Sequence, residues 1–202
     1  MKMRIVILDN VYSPAEDSWQ TAELLGWIVS NYVGNEEPRV IDVGSGTGVL
    51  TLTALLSAMN RGRTPWVIAI DHDRSAAVNT RINLVNTELY QYADVVSMNV
   101  LDAIRDGARI DVIVSNPPYL PGSWDEDWRI FGGPDGNNVI RQLITHACGG
   151  NAHLIVLTQS SLSNWEETIE LLRDCNYRLV MIKASHYFFE DIITMVFLKV
   201  NY

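Results

Sequence analysis

The chain reads as an α/β protein: a seven-stranded, mostly parallel sheet with an antiparallel last strand and helices on both faces. Three observations carry that reading. Apolar runs of strand length alternate with helical patterns, the arrangement that builds a parallel sheet covered on both sides. The last two strand runs follow one another without a helix between them, so they are expected to pair antiparallel across a turn near Phe189-Glu190-Asp191. The length of 202 residues and the 48% apolar content suit a single domain, residues 1–202, with an ample core.

In chain order, a helix is predicted over 14–32, opened by Ser13-Pro14-Ala15-Glu16, which has the form of a capping box with proline in the first helical position. The capping pattern accounts for Ser13, Pro14 and Glu16 but not for Asp17-Ser18, which would sit in the first turn near the cofactor mouth. Strands follow at about 39–43, 66–70, 94–98, 110–115, 152–158, 178–184 and 192–200. The intervening helices fall near 48–60, 74–86, 136–147 and 163–174, with Asp73 as the cap candidate of the 74–86 helix.

Composition excludes several classes. No run approaches 18 uncharged apolar residues, so no membrane-spanning helix is expected. The first residues lack the pattern of a secretory signal, and Cys148 and Cys175 have neither CxxC spacing nor a His/Cys cluster around them. They are read as reduced residues of a cytoplasmic protein, with no zinc site. Net charge is −9, from 15 basic against 24 acidic residues, and the lysines form no run. Nucleic-acid binding relies on clustered Lys/Arg, so this balance favours a protein or small-molecule substrate and no direct nucleic-acid contact.

Two loops carry the chemistry. Val40-Ile41-Asp42-Val43-Gly44-Ser45-Gly46-Thr47-Gly48 is a strand, a glycine turn and the opening of a helix. Its spacing is GxGxG rather than the dinucleotide GxGxxG, and no P-loop lysine follows. An acid before the glycines repels phosphate but suits an ammonium group, which points to S-adenosylmethionine: an α-amino group, a sulfonium and no phosphate. Asp71, at the end of the next strand, is placed to accept from ribose hydroxyls, and Asn99 (with Asp102 as competitor) to meet the adenine.

The second loop is Asn116-Pro117-Pro118-Tyr119, directly after the run Ile110–Ser115. Two prolines stiffen the turn and remove two donors, leaving carbonyls to accept. The Asn116 oxygen and the Pro117 carbonyl suit the two hydrogens of one NH2 group, and the Tyr119 ring suits the plane that carries it. That combination fits methyl transfer to a planar nitrogen.

DVGSGTG, IAID and VSNPPY in this order resemble a Rossmann-like class I S-adenosylmethionine-dependent methyltransferase. VYSPAEDS at 11–18 and Phe131-Gly132-Gly133-Pro134-Asp135-Gly136 resemble the HemK/PrmC-like glutamine methyltransferases, in their short archaeal and eukaryotic branch. The resemblance spans nearly the whole chain. It implies methylation of the side-chain amide nitrogen of the glutamine in the Gly-Gly-Gln motif of class 1 translation release factors. It implies that Asn116, Pro117 and Tyr119 hold that amide, and that Ser18, Asp42, Gly44, Gly46, Asp71, Asn99 and Asn116 line the cofactor site. It further implies a heterodimer with a small zinc-binding activator protein, placed on an edge strand near Tyr92–Met98. Asn99 stands where the family commonly has an acid, and Phe131 where it often has small residues or other aromatics. The rival readings are an N-methyltransferase acting on an exocyclic amine of RNA or DNA, one acting on protein lysine, or a binding module that has lost turnover.

Overall fold

A computed structural model describes residues 5–102, 104, 105 and 107–200. The elements run α1 (Glu16–Asn31), β1 (Arg39–Val43), α2 (Val49–Met59), β2 (Trp66–Asp71), α3 (Arg74–Asn86), β3 (Ala93–Ser97) and β4 (Arg109–Ser115). They continue with α4 (Trp124–Asp127), α5 (Asn138–Gly149), β5 (Asn151–Ser160), α6 (Trp165–Asp174), β6 (Tyr177–Tyr187) and β7 (Glu190–Lys199). The sheet order is β3-β2-β1-β4-β5-β7-β6. β1 to β5 pair in parallel, and β7 runs antiparallel to both β5 and β6.

Because the central strands are buried on both faces, their side chains divide between two cores. Val40, Val112, Val114 and Val156 pack with Leu25 and Ile28 of α1 and Leu52 and Leu55 of α2. Ile41, Ile113, Ile155 and Leu157 pack on the opposite face with Ile140 and Leu143 of α5 and Leu172 of α6. The chain leaves β1 toward β2 on one side and returns beside it as β4 on the other. That reversal opens a crevice at the carboxyl ends of β1 and β4, where open α/β sheets hold ligands. Ser115 Oγ donates to the Val43 carbonyl at 2.8 Å and ties the two strand ends together at that point.

All seven expected strands and five expected helices form, and Asp73 caps α3 as expected, accepting from the Ser75 and Ala76 amides. Three expectations are corrected. The Ser13 capping box does not form: α1 begins at Glu16, Ala15 is its extended N-cap, and no side chain caps it. Asp17, which could have served the helix end, instead turns toward the crevice. The final turn comes earlier than expected, with Tyr187 paired to Glu190 and Phe188-Phe189 at the tip. Cys148 and Cys175 are joined in a disulfide between the ends of α5 and α6, their Cα atoms 5.1 Å apart, rather than standing as separate thiols. The short α4 and a 3-10 turn over Tyr90–Tyr92 were not anticipated. No described helix is long and apolar enough to cross a membrane.

Candidate active site

The crevice is a cavity of about 850 Å3, within the range of small-molecule sites. The glycine loop forms its floor. The Gly44 and Ser45 amides both donate to the Ile70 carbonyl at 2.9 Å, and the Gly46 amide donates to Asp71 Oδ2 at 2.8 Å, so the loop hangs from the end of β2. Gly44 and Gly46 have φ of +78° and +55°, and a Cβ on either would project into open space. These glycines serve both the turn and a clear backbone surface for a ligand. From behind, α3 braces the loop: the Thr80 hydroxyl donates to Ser45 Oγ and the Gly46 carbonyl at 3.0 Å, and Asn83 Nδ2 to the Thr47 carbonyl at 2.8 Å. Asn79 and Asn83, one helical turn apart, also hold the backbone of Val6 and Leu8 along α3.

The structure brings Ser18, Gly44, Gly46, Asp71, Asn99, Asn116, Pro117 and Tyr119 to the cavity wall. Asp71 is nearly buried and spends one lone pair of each oxygen on the Gly46 and Asp73 amides, at 2.8 and 2.9 Å. Burial raises its carboxyl, against the pull of those two amides. Asn99 is exposed and donates to Gln142 Oε1 at 3.2 Å, while its competitor Asp102 pairs with His146 at 3.1 Å away from the wall.

Asp42 departs from its expected place. It lies under the loop, fully buried and off the cavity wall, because its Oδ2 accepts from the Thr51 hydroxyl of α2 at 2.6 Å. Its Oδ1 has no partner among the described residues, and burial pushes the carboxyl up to about 7. An orphaned acceptor below an open glycine cradle fits a ligand that brings donors or positive charge, so these residues fit S-adenosylmethionine.

Over the cradle stands the Asn116–Tyr119 turn. Asn116 Nδ2 donates to Asp17 Oδ2 at 2.9 Å and to Ser18 Oγ at 3.3 Å, whereas Asn116 Oδ1 is buried and unpartnered. The Tyr119 hydroxyl donates to the same Asp17 oxygen at 3.1 Å. The Tyr12 hydroxyl joins them at 3.2 Å. Burial first, and then the charge of Asp17, raise both phenols far above their ordinary range, so both remain donors. The segment that follows is clamped from outside. The Leu120 amide donates to the Ile130 carbonyl at 3.0 Å, the Leu120 carbonyl accepts from the Gly132 amide at 2.9 Å, and the Gly122 amide reaches the Gly133 carbonyl at 2.9 Å. Gly136, at φ +79°, presses on the Tyr119 carbonyl so closely that a Cβ would collide with it. Arg141 of α5 bridges Asp135 and Glu167 and anchors this glycine loop.

Tyr12 and Glu190, at the start of β7, were not singled out from the sequence, and Asp17 was expected near the cofactor mouth but not as the hub. The unexplained Asp17-Ser18 pair was the only signal for any of them. Depth comes from α1: Thr21 links to Thr158 at 2.6 Å and Thr158 to Thr194 at 2.9 Å, while Gln20 donates to the Ile192 carbonyl. These buried bonds seat the first turn of α1 over the strand ends.

Comparison with known proteins places this geometry among relatives. Residues 2–131 match the family described as "Methyltransferase small domain". A putative protein N5-glutamine methyltransferase of Methanocaldococcus jannaschii is 25% identical over 205 residues, covering 96% of this chain and 94% of that protein. A release factor glutamine methyltransferase of Mycolicibacterium smegmatis is 34% identical over 138 residues, 63% of this chain. This match covers 47% of the mycobacterial protein, so the chain spans about half the length of that relative. Among solved structures, the E. cuniculi Mtq2–Trm112 complex, described as responsible for methylation of the translation termination factor eRF1, aligns with a TM-score of 0.68 at 24% identity. This alignment covers 95% of this chain and 99% of that one and shows a shared fold.

Proposed function

Since the chain belongs to the methyltransferase small domain family, we propose that it methylates the side-chain amide nitrogen of the glutamine in the Gly-Gly-Gln motif of a class 1 release factor. The observation that carries the reading is the unpartnered, buried Oδ1 of Asn116 on the cavity wall. The names of the archaeal and mycobacterial relatives support the choice of glutamine. The acidic balance of the chain weighs against a nucleic-acid acceptor.

The cofactor in this reading is S-adenosylmethionine, which Ser18, Gly44, Gly46, Asp71 and Asn99 would hold, with the Asp42 carboxyl beneath the glycine loop. When bound, it supplies an electrophilic methyl group on a sulfonium. An amide nitrogen is a poor nucleophile because its lone pair is shared with the carbonyl. Asn116 Oδ1 and the Pro117 carbonyl accept its two hydrogens and return electron density to nitrogen. The same two acceptors stabilise the positive charge that develops there. Tyr119 holds the amide plane, so the lone pair faces the cofactor side of the cavity. No strong base is required, since the proton leaves after transfer.

The partner in this reading is a small zinc-binding activator protein on β3, giving a heterodimer. β3 is an edge strand, and its free backbone groups suit pairing with another chain. The Mtq2 neighbour, itself solved with Trm112, supports such a partner.

The test is transfer of labelled methyl from S-adenosylmethionine to a purified class 1 release factor, to RNA and to DNA, with and without the activator. Label confined to the release factor, increased by the activator, is the expected result. Label on RNA or DNA alone would move the chain to a nucleobase N-methyltransferase.

A further inference from the structure

Asp17 is the most densely bonded side chain of the site, yet no cation pairs with it among the described residues. It is 5% exposed, in the first turn of α1. Its Oδ2 accepts from Asn116 Nδ2 at 2.9 Å, Tyr119 Oη at 3.1 Å and Tyr12 Oη at 3.2 Å. Its Oδ1 accepts from the Ser18 amide at 2.6 Å and from Ser18 Oγ and Tyr12 Oη at 3.2 Å.

An ionised carboxylate only accepts, whereas a carboxamide has a donating and an accepting end. Facing Asp17, Asn116 must present its NH2. The reverse orientation would set its carbonyl oxygen against a negative oxygen. The consequence is visible at the other end of the same side chain, where Oδ1 is buried without a partner. An amide free to choose would not leave its best acceptor idle in a protein interior. Two phenols converge on the same carboxylate, so the Tyr119 ring is fixed by the group that fixes Asn116.

We propose that Asp17 is a positioning residue: its carboxylate locks the Asn116 carboxamide with Oδ1 toward the substrate NH2 and, through Tyr119 Oη, sets the ring that the amide lies against. Asp17 itself touches no reacting atom. The inference rests on the proposed role of Asn116 Oδ1 and adds what enforces it.

Asp17→Asn keeps the shape and removes the acceptor-only constraint. It should lower kcat about 10–100-fold, the usual size for a residue that orients a reacting group, with S-adenosylmethionine affinity by calorimetry within about threefold. In an Asn116→Ala background the same change should cost clearly less than in the wild type, since only the Tyr119 ring remains to orient. Equal losses in both backgrounds, or cofactor affinity falling in step with kcat, would overturn the proposal. A second readout uses the wild-type protein and needs no substrate or folded variant. The Asn116 side-chain amide protons, observed by 15N NMR, should exchange far more slowly than those of exposed Asn60. Exchange at the Asn60 rate would also overturn it. If the acceptor proves to be a nucleobase amine, the glutamine reading falls, while the slow exchange and the non-additivity, measured on that amine, still decide the role of Asp17.

Discussion

At the scale of single residues, two side chains behave in opposite ways. Asn116 has one end satisfied and one idle, and leaving a buried acceptor unpaired costs about 1–3 kcal/mol. In the proposed reaction that idle end serves the transition state, so Asn116→Ala should lower kcat by about 10²–10³ while cofactor affinity stays within about threefold. Steady-state kinetics with calorimetry checks this, and a matching collapse of cofactor binding would make Asn116 a binding residue instead. Asp42 is wholly buried, and its carboxyl is raised from 3.8 to about 7. Above pH 4 the unfolded chain gives up this proton while the folded chain keeps it. The folded state therefore holds more protons, and stability falls as pH rises to about 7. In the ligand-free protein, wild-type stability relative to Asp42→Asn should drop across that window by up to about 4 kcal/mol and level off above it. Denaturant melts at several pH values would show a flat or rising difference if the assignment were wrong. The residues of the glycine turn and of Asn116–Tyr119 were legible in the sequence because their chemistry is written in adjacent positions. Asp17 was legible only as an unexplained acid near the cofactor mouth, because a carboxylate in the first turn of a helix is also an ordinary complement to the helix dipole.

At the scale of elements, the Asn116–Tyr119 turn is stiff by its prolines and is set by its neighbours. Gly136 touches the Tyr119 carbonyl, and Gly132 lies against the Pro118 carbonyl, so this loop is the outer wall of the turn. Gly136→Ala adds a side chain both at positive φ and into that contact. It should destabilise the protein by about 2 kcal/mol or more and lower kcat far more than cofactor affinity. A variant with wild-type melting temperature and turnover would show that the wall is not required. Strand and helix order was legible from hydrophobic runs, since a strand buried on both faces has no polar interruption. The ends of β6 were not, because its exposed positions alternate with half-buried ones and the run blurs toward Tyr187. The capping pattern at Ser13 misled for a local reason: the site draws the Asp17 carboxylate inward, and the helix starts later than its cap signal.

At the scale of the whole molecule, the sheet order creates the site by placing β1 and β4 side by side where the winding reverses. The disulfide lies away from this crevice and ties α5 to α6. The 27-residue separation of Cys148 and Cys175 carries no signature, so only the packing of the two helices reveals the pair. Closing a loop of that size is worth about 3–4 kcal/mol. Cys148→Ser with Cys175→Ser should lower the unfolding free energy by about that amount and leave turnover unchanged. The unreduced wild type should show no alkylatable thiol, and labelling of both cysteines without reductant would contradict the bridge. The central claim is that the cavity methylates an amide nitrogen held by Asn116. The most direct measurement is mass-spectrometric mapping of a class 1 release factor after incubation with this protein, the proposed activator and S-adenosylmethionine. A single methyl group on the Gly-Gly-Gln glutamine is expected, absent with Asn116→Ala and with the Gln→Ala factor. A methyl group on a lysine, or on the glutamine with Asn116→Ala at an undiminished rate, would contradict it.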